Sequence, residues 1–258
     1  MTTKRVTAFV GSAAKGHTYA AVVQFLNNLQ AMGDVEGEIV RLSEYRIGIC
    51  RGCRLCFNRG EDHCPHKDDR DVLIEKMKAS DGVIFASPNY SFQVSGLMKA
   101  FLDRLGFAFH RPQFFGKIGT SIVTQGIYGG NKIVDYLDFV AYGLGFKTVK
   151  GSCLMTMEPI TEKQQRKIDR VLAAHARRYW AKLQQPAYPA PSLLDLAIFR
   201  FGRTKIRLDL DDRSRDWQYY AEKGWFESDF FYPTQMGLLM KGAGRLLDSI
   251  SASMSKAR

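Results

Sequence analysis

Between residues 4 and 184 short β-rich runs alternate with amphipathic helical stretches, and this alternation constrains the fold more than any other feature of the chain. "RVTAFVGS" reads as a buried strand ending at Gly11, and "TYAAVVQFLNNLQAMG" as an amphipathic helix with Gly33 at its end. "EGEIVRLSE" is a second strand. "DDRDVLIEKMKAS" is a helix whose opening Asp68 and Asp69 suit its positive end. A third strand, "GVIFASP", leads into the helix "SGLMKAFLDRLG", capped by Ser95, and then a fourth strand, "KIGTSIVTQG". "NKIVDYLDFVAYGLG" is the next helix, "KTVKGSCLM" a fifth strand, and a long helix starts after Thr161. Parallel neighbours need a crossover, so strands separated by helices predict an α/β fold: a five-stranded parallel sheet with helices on both faces. Ligands of such sheets bind outside the carboxyl ends of the strands, where strand order reverses. The loops after strands one, three and four are therefore the ones to read for chemistry.

The alternation stops at "QQPAYPAPS", where three prolines mark a boundary between a domain at 1–185 and an extension at 186–258. The extension holds two amphipathic helical stretches, the second with Leu239, Ala243, Leu246, Ile250 and Met254 on one stripe. Between them, residues 217–232 carry eight aromatics in 16 positions. This helical, aromatic-rich extension reads as a lid, a dimer clamp or a surface anchor, with folding back favoured over a peripheral membrane contact. Formal net charge is +11, and residues 186–258 contribute 11 Lys+Arg against 9 Asp+Glu, which leaves +9 to the first domain. Such an excess favours anionic partners such as a phosphorylated cofactor. No nucleic-acid motif accompanies it, so nucleic acid is not expected. The opening "MTTKRVTAFVGS" reads as a strand rather than a signal peptide, and no run reaches the ~18 apolar residues of a membrane span. The expected compartment is the cytoplasm.

After strand one stands "GSAAKGHT", residues 11–18. It nearly has P-loop spacing, but His17 occupies the lysine position, which excludes a nucleotide triphosphatase. A Gly-rich turn at a helix start still offers backbone N–H groups to one phosphate, with Ser12, Lys15, His17 and Thr18 as further donors. An ordinary strand-to-helix turn uses the same residue types. After strand two, "ICRGCRLCFNRGEDHC" holds Cys50, Cys53, Cys56 and Cys64 at C-x2-C-x2-C-x7-C spacing. Three readings stay open: a four-iron cluster on the four thiolates, reduced or reversibly oxidised thiols, and zinc with His63 or His66. Arg51, Arg54 and Arg59 lie among these thiols and are either a favourable field for thiolates or a solvated basic loop. Cys153, in strand five, reads as a small buried apolar residue.

After strand three comes "SPNYSFQVSGLMKAFLDR", residues 87–104. With "GSAAKGHT", the cysteine loop ending in "DD", and "DGVIFASPNY" in the same order, residues 5–184 resemble the flavodoxin-like NAD(P)H-dependent FMN reductases, in the branch containing the iron–sulfur flavoproteins. The resemblance implies that Ser12, Lys15, His17 and Thr18 hold the FMN phosphate. It implies that Ser87, Pro88, Asn89, Tyr90 and Phe92 line the ribityl chain and ring. It also implies that Thr124, Gln125, Gly126, Tyr128, Gly129 and Gly130 close over the ring's polar edge. Ala13-Ala14-Lys15 replaces the family's usual Pro-Arg, so a point charge stands where a bidentate fork is common. Asp103 and Arg104 are expected to close a helix or meet a partner rather than touch flavin.

The activity implied is transfer of electrons from NAD(P)H through bound FMN to a quinone, a nitro compound, free flavin or a protein acceptor. The alternative is an iron–sulfur flavoprotein or flavodoxin-like carrier without its own NAD(P)H oxidation, against which the basic charge counts. No side chain is assigned as a catalytic acid or base, because the chemistry is the cofactor's. Family analogy implies a homodimer.

Overall fold

The structure is a computed structural model that describes residues 3–256. The chain forms two compact units, one of Met1–Cys50 with Lys67–Gln185, the other of Arg51–His66 with Pro186–Arg258. In chain order the elements begin with β1 (Lys4–Val10), α1 (His17–Gln30), β2 (Val35–Arg41), α2 (Leu55–Asn58), α3 (Arg70–Ala79), β3 (Gly82–Pro88), α4 (Gly96–Asp103) and α5 (Phe107–His110). They continue with β4 (Ile118–Gln125), α6 (Gly130–Gly143), β5 (Lys147–Thr148), β6 (Ser152–Met155), α7 (Glu162–Leu183), α8 (Leu193–Asp209), α9 (Arg215–Glu222) and α10 (Leu238–Lys256). Among the described residues no helix is long and apolar enough to cross a membrane.

The first unit is a parallel sheet of order β2-β1-β3-β4-β5, with β6 also paired to β4. Every residue of β3 is buried, as a strand covered on both faces should be. One face packs Val6, Ala8, Ile84 and Ile122 against Phe25 and Leu29 of α1 and Leu172, Ala176 and Tyr179 of α7. On the other face Phe9 stacks on Phe101 at 5.3 Å, and Phe114 stacks on Phe146 at 4.7 Å. Each such fully buried ring contributes on the order of 2–3 kcal/mol. Strand order reverses between β1 and β3, so a crevice opens at the carboxyl ends of these two strands.

Local signals are realised closely. Ser95 Oγ accepts from the Met98 N–H at 3.2 Å and caps α4, and Thr161 Oγ1 accepts from the Gln164 N–H at 3.3 Å and caps α7. Gly33 departs from its expected role. Helix α1 ends at Gln30, and Gly33 is needed because a Cβ there would lie 2.5 Å from the Trp180 ring. The fifth strand is split in two, giving six strands. At the break Thr120 Oγ1 donates to the Val149 carbonyl at 2.8 Å, and the Gly151 N–H donates to Asp138 Oδ2 at 3.0 Å. Side chains thus satisfy backbone groups that a continuous strand would have paired.

In the second unit α8 starts with a capping box, Ser192 and Asp195 exchanging side-chain and backbone bonds. Helix α10 packs along α8 through Arg200 and Arg203, both hydrogen-bonded to Asp248, with Gly244 giving the Arg200 guanidinium room. The Leu239–Met254 stripe is therefore not the packed face: Leu239 is 91% and Met254 62% exposed. The aromatic run forms an edge-to-face cluster around Phe199, Trp225, Phe230 and Phe231. The short helix α2, from the cysteine segment, packs against α9.

Candidate functional site

Three loops meet the crevice at the carboxyl ends of β1, β3 and β4. The first runs through Gly16, which precedes α1 with no side-chain cap and open space where a Cβ would be. The first N–H groups of a helix have no intrahelical acceptor, so this uncapped end offers donors that an anion could use. Lys15 is exposed, its ammonium 5.5 Å above the Tyr19 ring. Ser12 is buried and donates to the Ala14 carbonyl at 3.1 Å. Thr18 is also buried, its hydroxyl 2.7 Å from that of Thr124, so what it offers the loop is its backbone N–H. His17 Nε2 lies 2.9 Å from Glu158 Oε1, in the loop after β6.

The second loop is a tight turn. Tyr90 and Gln93 exchange backbone bonds at 3.0 Å, and Ser91 and Phe92 sit between them at φ +50° and +61°. Two successive non-glycine residues in the left-handed region are strained, and such strain gathers at ligand clamps. The turn holds Tyr90 59% and Phe92 58% exposed. Ser87 and Pro88 lie behind it in the sheet, wholly buried, with Ser87 Oγ accepting from the Ser95 N–H at 2.9 Å.

The third loop follows β4. Gln125 Oε1 accepts from the Gly130 N–H at 2.7 Å, and Gly129 turns at φ +91° with Phe92 2.9 Å from where its Cβ would be. Tyr128 is exposed, its ring 5.1 Å from that of Phe92, and Gly126 has open space around it. Asn89 ties the second loop to the third: its N–H donates to the Thr124 carbonyl at 2.8 Å and its Nδ2 to the Tyr128 carbonyl at 2.9 Å. Asn89 Oδ1 is buried and, among the described residues, has no hydrogen-bond partner. Such an orphaned acceptor calls for a donor from outside the chain.

These groups suit a phosphorylated, planar, partly apolar ligand: an uncapped helix end for the anion, exposed rings for a flat face, and a waiting acceptor for a ring N–H. Beside the third loop, between β6, α6 and α7, lies a cavity of about 210 Å³ that Gln125, Cys153, Gln164 and Lys167 help to line. Burial pushes the Cys153 thiol up to about 11, so it is a neutral wall group.

The cysteines are arranged differently. Cys50 belongs to the first unit, and Cys53, Cys56 and Cys64 to the second. Cys50 and Cys53 are exposed, Cys56 and Cys64 half-buried. Among the described residues no three His, Cys, Asp or Glu side chains converge as metal ligands, so this arrangement does not fit a four-thiolate cluster or a zinc site. The roots of the segment are pinned in the first unit. Arg104 donates to the Gly48 carbonyl at 3.1 Å and pairs with Asp68, which also accepts from the Gly48 N–H at 2.8 Å. Asp69 accepts from the Arg46 N–H at 2.7 Å. The two acids expected at the start of α3 therefore close the neck of residues 49–67, and neither caps the helix with its side chain except through a long Arg70 N–H contact to Asp68 at 3.3 Å.

Sequence reasoning missed Glu158 because nothing local marks it as the partner of a histidine so distant in the chain. It missed the role of Arg104 as well, because neither its burial nor its pairing with Asp68, 36 residues away, is marked locally in the sequence.

The family model described as NADPH-dependent FMN reductase matches residues 4–158. An iron–sulfur flavoprotein of Archaeoglobus fulgidus is 30% identical over 200 residues, covering 74% of this chain and 85% of the relative. An iron–sulfur flavoprotein of Clostridioides difficile is 30% identical over 174 residues, covering 64% of this chain and 75% of the relative. The crystal structure of RosB, solved with 8-demethyl-8-formylriboflavin-5'-phosphate, superimposes with a TM-score of 0.56 at 12% identity, over 91% of this chain and 92% of that one. At that identity the likeness concerns the fold alone.

Proposed function

Because the chain belongs to the NADPH-dependent FMN reductase family, in the branch of the iron–sulfur flavoproteins, it is an FMN flavoprotein oxidoreductase, and we propose that it oxidises NAD(P)H and reduces a small-molecule acceptor. Bound FMN would accept a hydride equivalent and release electrons to a quinone, a nitro compound or free flavin. The chain's own residues bind and orient. The uncapped start of α1, with Lys15 and His17 beside it, takes the phosphate, and Glu158 orients the His17 ring toward it. Tyr90, Phe92 and Tyr128 offer apolar faces to the ring, and the strained turn at Ser91–Phe92 keeps two of them out of the core. Gly126 lets backbone approach the ring's polar edge, where no side chain intervenes.

The observation that carries this reading is Asn89 Oδ1, a buried acceptor with no partner, held between the second and third loops. It could accept from a ring N–H, and among the described residues no group donates to it. No step is assigned to the cysteines, since their arrangement does not fit a cluster. The test is anaerobic mixing of the FMN-loaded protein with NADPH. Loss of flavin absorbance, restored by adding a quinone, is the expected result. Flavin that stays oxidised would leave only an electron carrier.

A further inference from the structure

The cavity between β6, α6 and α7 takes no part in the flavin reading, and its lining is chemically one-sided. Leu154, Ile168 and Val171 give it apolar surface. Its polar members include Lys167, Asn131 and the Gln125 and Gln164 amides, and no Asp or Glu is among the lining residues. Gln164 Nε2 is spent on the Met155 carbonyl at 3.0 Å. Among the described residues neither the Lys167 ammonium nor the Asn131 side chain has a hydrogen bond or ion pair. Lys163 and Arg170, one turn to either side of Lys167 on α7, are exposed and equally without an acid partner. Unanswered cations clustered on one helix face draw anions to the place they surround. At about 210 Å³ the cavity falls short of the ~300 Å³ at which drug-sized pockets begin, so its occupant is small.

The same cavity reaches the third loop. Gln125, part of its lining, accepts from the Gly130 N–H at 2.7 Å, and a Cβ on Gly130 would lie 2.5 Å from Cys153 Sγ. Two groups of the cavity wall are therefore packed on the residue where the loop becomes α6.

We propose that this cavity is a second binding site, for a small carboxylate with an apolar body, and that its occupant steadies residues 125–131. Lys167 pairs with the carboxylate, Asn131 donates beside it, and the apolar body lies against Leu154, Ile168 and Val171. Filling the space holds Gln125 and Cys153 against Gly130, which removes freedom from the loop. A ligand that also needs the loop ordered then binds at lower cost. That this second ligand is FMN rests on the reading of the third loop given above; the carboxylate site itself does not.

Benzoate is the probe, titrated into the full-length apoprotein and followed by protein NMR and amide hydrogen exchange. It should bind saturably and slow exchange in residues 125–131 at least threefold. Benzamide, of the same shape without the charge, should bind at least tenfold more weakly, the effect of losing a charge-assisted bond. Lys167→Met, on the exposed side of α7, should weaken benzoate at least tenfold and leave benzamide unchanged. Val171→Phe, which narrows the cavity, should weaken both. Benzoate should bind the FMN-loaded protein at least as tightly as the apoprotein, because coupling between two sites is reciprocal. Failure of FMN to bind at all would sink the flavin reading and leave the apoprotein results standing. The proposal is overturned by any of four results: no saturable binding, unchanged benzoate affinity in both variants, unchanged exchange at saturation, or displacement of benzoate by FMN.

Discussion

Replacing Arg104 by Met should destabilise the first unit by about 3–5 kcal/mol, the usual effect of removing one member of a buried ion pair. The Arg104 side chain is 2% exposed and that of Asp68 is 11% exposed, so the substitution leaves a carboxylate with little access to water. Gly48 loses the donor to its carbonyl at the same time. With a urea dependence of about 2–3 kcal/mol/M, the unfolding midpoint should fall by roughly 1–2 M. Most of that loss is the stranded charge, so Asp68→Asn in the Arg104→Met background should recover a substantial part of it, a coupling of about 1.5–3 kcal/mol. pH supplies an independent check. Burial alone would raise the Asp68 pKa, but hydrogen bonds from Arg104, the Gly48 N–H and the Arg70 N–H outweigh it, and the folded value lies below 3.8. The pair's contribution is therefore fully present above pH 3.8 and fades as pH falls through the folded value. The wild type should lose this component in acid, and Arg104→Met should show no such loss. A midpoint within about 0.3 M of wild type, or a double variant as unstable as the two single losses summed, would refute the assignment.

Asn89→Ala should raise the Kd for FMN by roughly 3- to 10-fold, the effect of one net hydrogen bond, in a titration of apoprotein followed by flavin fluorescence. An unchanged Kd would remove the reason for reading Asn89 Oδ1 as a ligand acceptor. At Asp138, burial raises the pKa above 3.8 despite bonds from the Gly151 N–H and Ser121, so the sign is opposite to that of Asp68. Its contribution is fully present below pH 3.8 and is lost as pH rises through the folded value; Asp138→Asn should therefore gain on wild type from acid toward neutral pH in paired urea melts. With the Cys153 thiol pushed up to about 11, about one molecule in a thousand is thiolate at pH 8, and iodoacetamide labelling resolved by mass spectrometry should modify exposed Cys50 and Cys53 first.

The sheet was legible because β1, β3 and β4 are short apolar runs closed by Gly or Pro, and helices α4 and α7 carry their own caps in Ser95 and Thr161. Contacts between distant residues were not. Gly33 looks like a helix stop, but the Trp180 ring is what forbids a side chain there. Strand five reads as one run because Thr120 and Asp138, which satisfy the break, are far from it in sequence. The stripe on α10 has the right period for a buried face, yet the Arg200, Arg203 and Asp248 network turns a different face toward α8. At the candidate site the three loops were legible from the strand ends, and the flavin block from its spacing. What each hydroxyl does was not: Thr18 faces Thr124 and Ser87 faces Ser95, so both hydroxyls are engaged inside the fold.

The most specific stretch of sequence, residues 87–104, therefore serves two ends of one helix. At its start Ser95 donates to the Gly11 carbonyl at 2.5 Å and caps α4, which fixes the root of the phosphate loop and the turn that presents Tyr90 and Phe92. At its finish Arg104 closes the neck of the cysteine segment on Gly48 and Asp68. The nine residue steps from Ser95 to Arg104 rise about 13 Å, so the length of α4 sets the separation between the flavin loops and the neck. Rotation is fixed as well, because each residue turns the helix by about 100°. One alanine inserted after Lys99 would leave Ser95 and the aromatic turn in place and swing Arg104 away from Asp68. That variant should keep FMN affinity within about threefold while residues 49–67 exchange their amide hydrogens faster. Loss of both together would mean that α4 supports the two sites as one packed block, and that the spacing between them carries no separate instruction.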